Sequence, residues 1–324
     1  MKTSWPIGKR KVSQTVTKLT QNNQPMAAAG VMLAAMAVIS LVDTFFIHIA
    51  SALGLWQFHM LRALFVLPLL FIYSKASGTQ IFPNRIGPVY LRAFLASFSM
   101  LLYFGSLGFL DVPVVAAGMF TSPIWVLIFT AFGLRQRIGP RRLGAVALGF
   151  GGALLVLNPF GGSLSLVVFL PLGAGLFWAL SAIATHSLCE GESALALLAA
   201  FFVCMIFWGL GGIALLTYID PVVPEGGNGV LLRAWGQFTP DAAFWFAGQV
   251  FVSAVGVYGL TRAYQLAEAS YVAVFEYSFL VFAAIWAVIL LANIPTSTEL
   301  AGMLMILGSG ILIASSPAAR KLAG

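Results

Sequence analysis

Ten long apolar segments follow one another along the chain, and this pattern constrains the fold more than any other feature. A bilayer-spanning helix needs about 20 mostly apolar residues, and in lipid each backbone polar group must be hydrogen-bonded within the protein. The segments lie at residues 26–50, 55–74, 88–109, 113–134, 141–158, 165–187, 193–217, 241–262, 269–291 and 297–316. The sequence therefore predicts an all-α integral membrane fold with ten transmembrane helices.

The scarcity of charge excludes the soluble alternative. Charged residues make up 8% of the chain and hydrophobic residues 60%, whereas a soluble domain carries about 25% charged residues. So few charges could not cover a water-exposed surface of this size, so the apolar excess is expected to face a lipid bilayer. The net charge of +7 is therefore interpreted as a signal of orientation, and no nucleic-acid partner is expected.

The basic residues predict the orientation of the helices. Lys and Arg concentrate on the cytoplasmic side of membrane proteins. If ten helices alternate from a cytoplasmic N-terminus, fifteen of the seventeen Lys and Arg residues fall on the cytoplasmic side. The opposite side holds Arg233, and Arg62 lies within a helix. We therefore expect both tails, residues 1–25 and 317–324, to be cytoplasmic.

The last parts of the two halves of the chain resemble each other. In both Phe132–Val156 and Val288–Ile313, a helix ends, a short polar loop with Pro follows, and a Gly-rich helix begins. This similarity divides the protein into residues 26–160 and 161–316, with five helices in each. Because five is odd, the second unit must enter the membrane from the opposite side. Inverted repeats of this kind are typical of secondary transporters, which bind solutes between the repeats.

Three charged residues stand out within the predicted helices: Asp43, Arg62 and Glu276. A charge at the centre of a membrane helix costs about 2.5–3.5 kcal/mol on insertion scales. Asp43 and Glu276 come from different repeats, and both are candidates to face a central cavity and bind a cationic or hydrogen-bonding group or a coupling proton. The alternative is an internal ion pair, such as Asp43 with Arg62, that holds the helices in register.

Aromatic residues within the helices form a second group of candidates. Such rings stack on a ring-bearing solute, and Tyr277 is also adjacent to Glu276. The alternative for each of them is helix packing. The candidates are Tyr103, Trp125, Trp178, Tyr258 and Tyr277.

Motifs for enzymatic chemistry are absent from the sequence. It contains no Walker-type phosphate loop, no His-Glu-x-x-His zinc motif and no nucleophile elbow. We therefore predict no catalytic residues, no metal and no cofactor.

Several stretches together resemble the EamA branch of the drug/metabolite transporter superfamily. Asp43 with Trp56-Gln57-Phe58 and Arg62 is similar to the first hairpin of this family. The third to fifth helices of the family are matched by Arg92 to Asp111, Ala116 to Pro123, and Arg141-Arg142-Leu143-Gly144 to Leu155. Ala263, Ala267, Ser270 and Phe275-Glu276-Tyr277 resemble the eighth and ninth helices. Family members often end the fourth and ninth helices with an acidic residue, where this chain has Gln136 and Asn293.

The resemblance implies a secondary transporter of the bacterial inner membrane that moves a small metabolite by alternating access. The first hairpin and Phe275-Glu276-Tyr277 are most similar to a subgroup that includes riboflavin and S-adenosylmethionine carriers. The alternatives are an exporter of amino acids or other metabolites, an uncoupled channel or uniporter, and a membrane scaffold that does not transport. In the resembling family the last helix of each half packs against the other or dimerises, so a homodimer is one expected arrangement.

Overall fold

The computed structural model describes residues 24–44, 46–106, 110, 112–133, 138–158, 169–225, 229–292 and 294–315. Within these ranges the secondary structure is helical and includes no strand. The helices that form the spans are α1 (Pro25–Thr44), α2 (Leu55–Ser77), α3 (Ile86–Ser106), α4a (Val112–Met119), α4b (Ser122–Ile128), α5 (Pro140–Leu157), α6 (Phe169–Ser187), α7 (Ala194–Ile219), α8 (Pro240–Leu266), α9a (Ala269–Val272), α9b (Ser278–Leu291) and α10 (Ser297–Ala314). A short helix, Phe46–Ala50, precedes α2, and Phe129–Gly133 continues α4b as a π-helix.

The helices occupy the ten predicted segments. In the described part of the chain, nine spans are long and apolar enough to cross a membrane, and α1 adds a shorter apolar stretch, Pro25–Leu41. For this count, α4a and α4b form one span and α9a and α9b another. The prediction of an all-helical membrane fold is confirmed.

Polar caps mark the start of several helices. The side chain of Ser193 accepts a hydrogen bond from the backbone N–H of the third residue beyond it at the start of α7, and Thr239 does the same before α8. Thr296 and Glu299 form a capping box that begins α10. These side chains bond to N–H groups that have no partner inside the helix.

Two of the spans are interrupted at corresponding positions in the two halves. Between α4a and α4b the chain turns at Phe120 and Thr121, and Pro123 lies in the first turn of α4b. Between α9a and α9b, Ala273–Tyr277 winds as a 3-10 segment. Proline has no backbone N–H and a fixed φ angle, so it is favoured in the first turn of a helix and supports the start of a new helix at α4b. These are the fourth span of the first half and the fourth span of the second.

The helix pairs are reciprocal between the halves. The first helix of one half packs on the third of the other, as α1 does on α8 and α6 on α3. The second helices, α2 and α7, pack together, and so do the fifth helices, α5 and α10. Exchanging the two halves therefore leaves this set of pairs unchanged, which is the pattern that two related five-helix units predict.

The loops define two ends of the bundle. At one end, residues 229–238, here called the strap, lie over the turn between α1 and α2. The side chain of Gln57 accepts a hydrogen bond from the backbone N–H of Gly236 (2.7 Å) and donates one to its carbonyl (3.0 Å), and Trp56 Nε1 donates to Leu231 O (3.1 Å). We call this the strap end.

The opposite end is organised by Glu192, whose side chain is buried. Its carboxylate accepts hydrogen bonds from the backbone N–H groups of Asn84 (2.9 Å) and Arg85 (2.8 Å), just before α3. Nearby, Arg142 at the start of α5 pairs with Glu268 in the turn between α8 and α9 (2.5 Å) and donates to Ser270 Oγ (2.7 Å). We call this the Glu192 end.

The contact between α5 and α10 depends on glycine. A Cβ atom added at Gly152 would lie 2.6 Å from the carbonyl oxygen of Gly302, and the reverse contact is equally short. Small residues let membrane helices approach this closely. No side chain could be added without moving one backbone away from the other.

We therefore expect Gly152→Ala to destabilise the folded protein by about 1–3 kcal/mol, the usual cost of overpacking. Thermal unfolding in detergent would measure the loss. Gly211→Ala is the matched control, because Gly211 is an exposed helical glycine with open space around it. Equal melting temperatures for the two variants would contradict the close approach of α5 and α10.

Candidate functional site

Asp43 lies in α1, in the part of the helix nearer the strap end, and its side chain is exposed. Arg62 of α2 and Tyr103 of α3 lie within its electrostatic range. Three helices of the first half thus place a carboxylate, a guanidinium and a phenol in one region. Among the described contacts, no direct ion pair joins Asp43 to Arg62.

Arg62 is held mainly by aromatic rings. Its guanidinium lies over Phe58, 4.9 Å from the ring centroid, and 5.8 Å from the centroid of Phe202. Nη2 lies 3.3 Å from His59 Nδ1, while Nε is buried without a hydrogen-bond partner among the described residues. A cation on aromatic faces is stabilised without an opposite charge. Arg62 therefore keeps hydrogen-bonding capacity that the protein leaves unused.

A group of aromatic rings lies against Arg62 and Tyr103. Phe46 lies between Phe58 and Phe104, with ring centroids 5.2 and 5.8 Å apart. Phe104 also meets the rings of His59 (4.9 Å) and Tyr103 (5.2 Å). We call Asp43, Arg62, Tyr103 and these rings the strap-side group. It combines flat apolar surface with one exposed acceptor and one cationic donor.

Glu276 is organised differently, since it is buried and fully hydrogen-bonded. Oε1 accepts hydrogen bonds from Trp178 Nε1 (2.7 Å) and Tyr264 Oη (2.6 Å), and Oε2 accepts one from Ser122 Oγ (2.8 Å). Ser122 belongs to the first half of the chain, and the other two partners belong to the second. We call these four residues the Glu276 cage.

The two helix interruptions build the cage. Glu276 lies in the 3-10 segment that splits the ninth span, and Ser122 is the first residue of α4b, just after the break in the fourth span. The backbone at this break is also packed tightly, because a Cβ at Gly175 of α6 would lie 2.6 Å from Thr121 Oγ1. This close approach brings α6, and with it Trp178, against the two breaks.

The cage fits an ionised carboxylate. An ionised carboxylate only accepts hydrogen bonds, and the indole N–H of Trp178 can only donate. In the described part of the chain, none of the groups bonded to Glu276 is a Lys, Arg or His side chain. Three neutral donors therefore stabilise a charge that would otherwise be costly in the membrane interior.

The other candidates lie outside these two groups. Tyr277 is fully buried against α5, where a Cβ at Gly149 would lie 2.4 Å from its ring. Trp125 stacks on Phe129, with centroids 6.3 Å apart. Tyr258 packs partly buried against the core around Phe58. The structure thus places Asp43, Arg62 and Tyr103 together, and Glu276 with Trp178, but it does not join Asp43 to Glu276.

Comparison with known proteins agrees with this architecture. Residues 26–158 match the model of the EamA-like transporter family. These residues are fewer than half of the chain, and over them the chain is similar to this family. The similarity confirms the predicted resemblance and, together with the curated relatives and the apolar spans, indicates a multi-pass membrane transporter.

The curated relatives of this chain include transporters with described functions. A riboflavin transporter of Rhizobium johnstonii is 28% identical over 256 residues, covering 78% of this chain and 76% of the relative. The pseudopaline exporter CntI of Pseudomonas aeruginosa is 23% identical over 281 residues, covering 86% and 93%. One protein crystal structure matches with a TM-score of 0.72 at 13% identity, over 89% of this chain and 98% of that one, and shows the fold alone.

Some predictions fall outside the described residues. Gln136 and Asn293 are among these positions, as are residues 1–23 and 316–324 of the tails. The boundaries of the two repeats remain predictions. In the described part of the chain, no group of three or more His, Cys, Asp or Glu side chains could hold a metal ion.

Arg92 is a functional candidate that sequence reasoning missed. It is buried in α3, where Nε donates to Thr185 Oγ1 (2.9 Å), Nη2 to Thr261 Oγ1 (3.2 Å) and Nη1 to Leu197 O (3.4 Å). One guanidinium thus joins α3 to α6, α7 and α8. Its position, six residues beyond the start of α3, was the available signal, but the sequence interpretation counted it with the basic helix ends.

The Glu276 cage predicts that two buried tyrosines differ in their contribution to stability. Tyr264→Phe removes a donor to a buried carboxylate and should destabilise the protein by about 1.5–3 kcal/mol. Tyr277→Phe is the matched control, because Tyr277 Oη is buried without a described partner, so its loss should cost little. Thermal unfolding in detergent compares them, and equal losses would contradict the cage.

Proposed function

We propose that this EamA-like transporter moves a polar metabolite with a planar ring, of the riboflavin type, across the bacterial inner membrane. Transport proceeds by alternating access between two inverted five-helix halves. The strap-side group is the part of the protein that binds the solute. The observation that carries the proposal is the exposed carboxylate of Asp43, which lies within electrostatic range of Arg62 and Tyr103. Both of these side chains lie against aromatic rings.

The chemistry of the strap-side group supports a solute of this class. Aromatic faces favour a planar ring. Asp43 accepts hydrogen bonds, and Arg62 offers an unused donor. A solute with both donor and acceptor groups at the edge of a ring satisfies both side chains. The curated relatives described as riboflavin transporters support the same solute class.

Charge distribution supports a cytoplasmic Glu192 end. Lys75, Arg85, Arg141, Arg142 and Arg262 all lie at or near this end, whereas Arg233 lies in the strap. By the positive-inside rule, the Glu192 end faces the cytoplasm, and ten spans then put both termini there. The relatives are bacterial proteins, which supports the inner membrane as the location.

Contacts between the halves support alternating access. The strap contacts the α1–α2 turn at one end, and the Arg142–Glu268 pair joins the halves at the other. In a cycle that opens each side of the membrane in turn, the strap contacts separate while the Arg142–Glu268 pair stays intact, and the reverse happens in the other half of the cycle. The reciprocal helix pairs and the interrupted fourth and ninth spans are features that inverted-repeat carriers share.

Export of a polar metabolite is a second candidate. A relative that aligns over 86% of this chain is a pseudopaline exporter. The presence of both an acidic side chain, Asp43, and a basic one, Arg62, in the strap-side group suits a solute that carries both charges. Export and import use the same binding region and differ in the gradient that drives the cycle.

Riboflavin counterflow into proteoliposomes tests the proposal without a prior choice of direction. We expect the wild type to exchange internal for external riboflavin. Asp43→Asn should weaken binding by about 10- to 100-fold, because a hydrogen bond to a charged group contributes about 1.5–3 kcal/mol. Exchange with and without a pH gradient then distinguishes a coupled carrier from a uniporter.

Asp220→Asn is the matched control, since Asp220 undergoes the same chemical change at the end of α7, away from the strap-side group. It should exchange riboflavin at the wild-type rate. The proposal is wrong if neither riboflavin nor any member of a broad metabolite panel is exchanged. The site assignment is wrong if Asp43→Asn and Asp220→Asn behave alike while both remain folded.

A further inference from the structure

We propose that Trp178 and Glu276 act as one mechanical link between the strap-side group and the closed contacts at the Glu192 end. Trp178 is the movable element, and Glu276 is a positioning residue that holds it. A solute that displaces Trp178 releases Glu276, and this release loosens the Glu192 end. The solute-dependent part rests on the proposed function, whereas the link itself is a property of the protein without solute.

The position of Trp178 gives it contact with both sides. It packs partly buried against the core that contains Tyr264 and Phe275, near the Glu192 end. It also packs against the core that contains Phe58 and Phe202, which carries the rings under Arg62. One indole therefore lies between the strap-side group and the α8–α9 region.

The hydrogen bond to Glu276 fixes this indole. Trp178 has one N–H group, and it donates to Oε1 at 2.7 Å. If the indole moves, Glu276 loses one of three donors while it remains buried. A buried carboxylate that has lost part of its hydrogen bonds is destabilised. The cage is therefore stable in two states, one fully hydrogen-bonded and one opened, in which the carboxylate is hydrated or protonated.

The chain then carries this change to the Glu192 end. Tyr264 and Glu276 belong to the cage, and the residues between them make the closing contacts. Gln265 Nε2 donates to the backbone carbonyl of Glu192 (2.9 Å). Glu268 pairs with Arg142, and Ser270 Oγ accepts from it. Residues 264–276 thus contribute both to the Glu276 cage and to the contacts at the Glu192 end. A movement of this segment at the cage therefore also moves the residues that make those contacts.

A natural thiol reports on this closure. Cys189 lies between α6 and α7 and is fully buried, with Sγ 3.6 Å from Pro88 O. Burial raises the pKa of the Cys189 thiol above its usual value. Because the thiolate is the reactive form, labelling by a maleimide is slow while the Glu192 end is closed and speeds up when it opens.

The experiment measures labelling of Cys189 by a membrane-impermeant maleimide in detergent micelles, in a Cys204→Ser background. We expect Trp178→Phe and Glu276→Ala to label several-fold faster than the parent. Glu276→Gln should label at an intermediate rate, because its amide can still accept from Trp178 and Tyr264 and donate to Ser122. Added riboflavin should speed labelling of the parent and have no effect on Trp178→Phe.

Trp286→Phe is the matched control. Trp286 Nε1 donates a similar hydrogen bond, at 2.9 Å to Ala37 O, but it lies outside the cage. It should label at the parental rate. The link is refuted if Trp178→Phe and Glu276→Ala label at the parental rate, or if Trp286→Phe speeds labelling as much as they do.

The two proposals can fail separately. If the cage variants label faster but riboflavin neither speeds labelling nor raises the melting temperature of the parent, the link is supported and the proposed solute is wrong. If riboflavin stabilises the parent and speeds its labelling equally in Trp178→Phe, the solute is supported and the role of Trp178 is wrong.

Discussion

The buried carboxylate of Glu276 is the interaction on which the rest of the membrane interior depends. The oxygens of a buried carboxylate need hydrogen-bond partners, and here three neutral donors supply them in place of a cation. Those donors reach it because the fourth and ninth spans are interrupted where they face each other. The helix breaks and the buried carboxylate therefore stabilise one another. The breaks position the donors, and the hydrogen bond from Ser122 to Glu276 holds the two breaks in contact.

The sequence predicted the parts of the structure that follow from local composition. Apolar length identified the ten spans, because lipid admits only helices with satisfied backbones. The cost of burying charge identified Asp43, Arg62 and Glu276. The partners of Glu276 were harder to predict, since Ser122 and Trp178 lie 154 and 98 residues away along the chain. Trp178 was a candidate for stacking on a solute and Ser122 was not a candidate, and only the packing reveals that both donate hydrogen bonds to Glu276.

Tyr277 illustrates why adjacency in sequence misleads. It was a candidate because it follows Glu276, but consecutive residues of a helical segment point in different directions. Glu276 faces Trp178 and Tyr264, while Tyr277 fills the space that Gly149 leaves on α5. Arg92 was overlooked for the opposite reason. A basic residue near a helix end suggested orientation, yet its guanidinium is buried among hydroxyl and carbonyl acceptors of three other helices.

Asp43 and Glu276 show how surroundings separate two roles for one chemical group. Around Glu276 each described donor is already used, so a solute can affect this carboxylate only by displacing a neighbour. Asp43 is exposed beside a guanidinium whose Nε has no described partner, so it can bond directly to a solute. The protein thus has one carboxylate open to ligands and one occupied by the fold. In the proposed link, Trp178, which packs against the cores on both sides, is the residue through which the first influences the second.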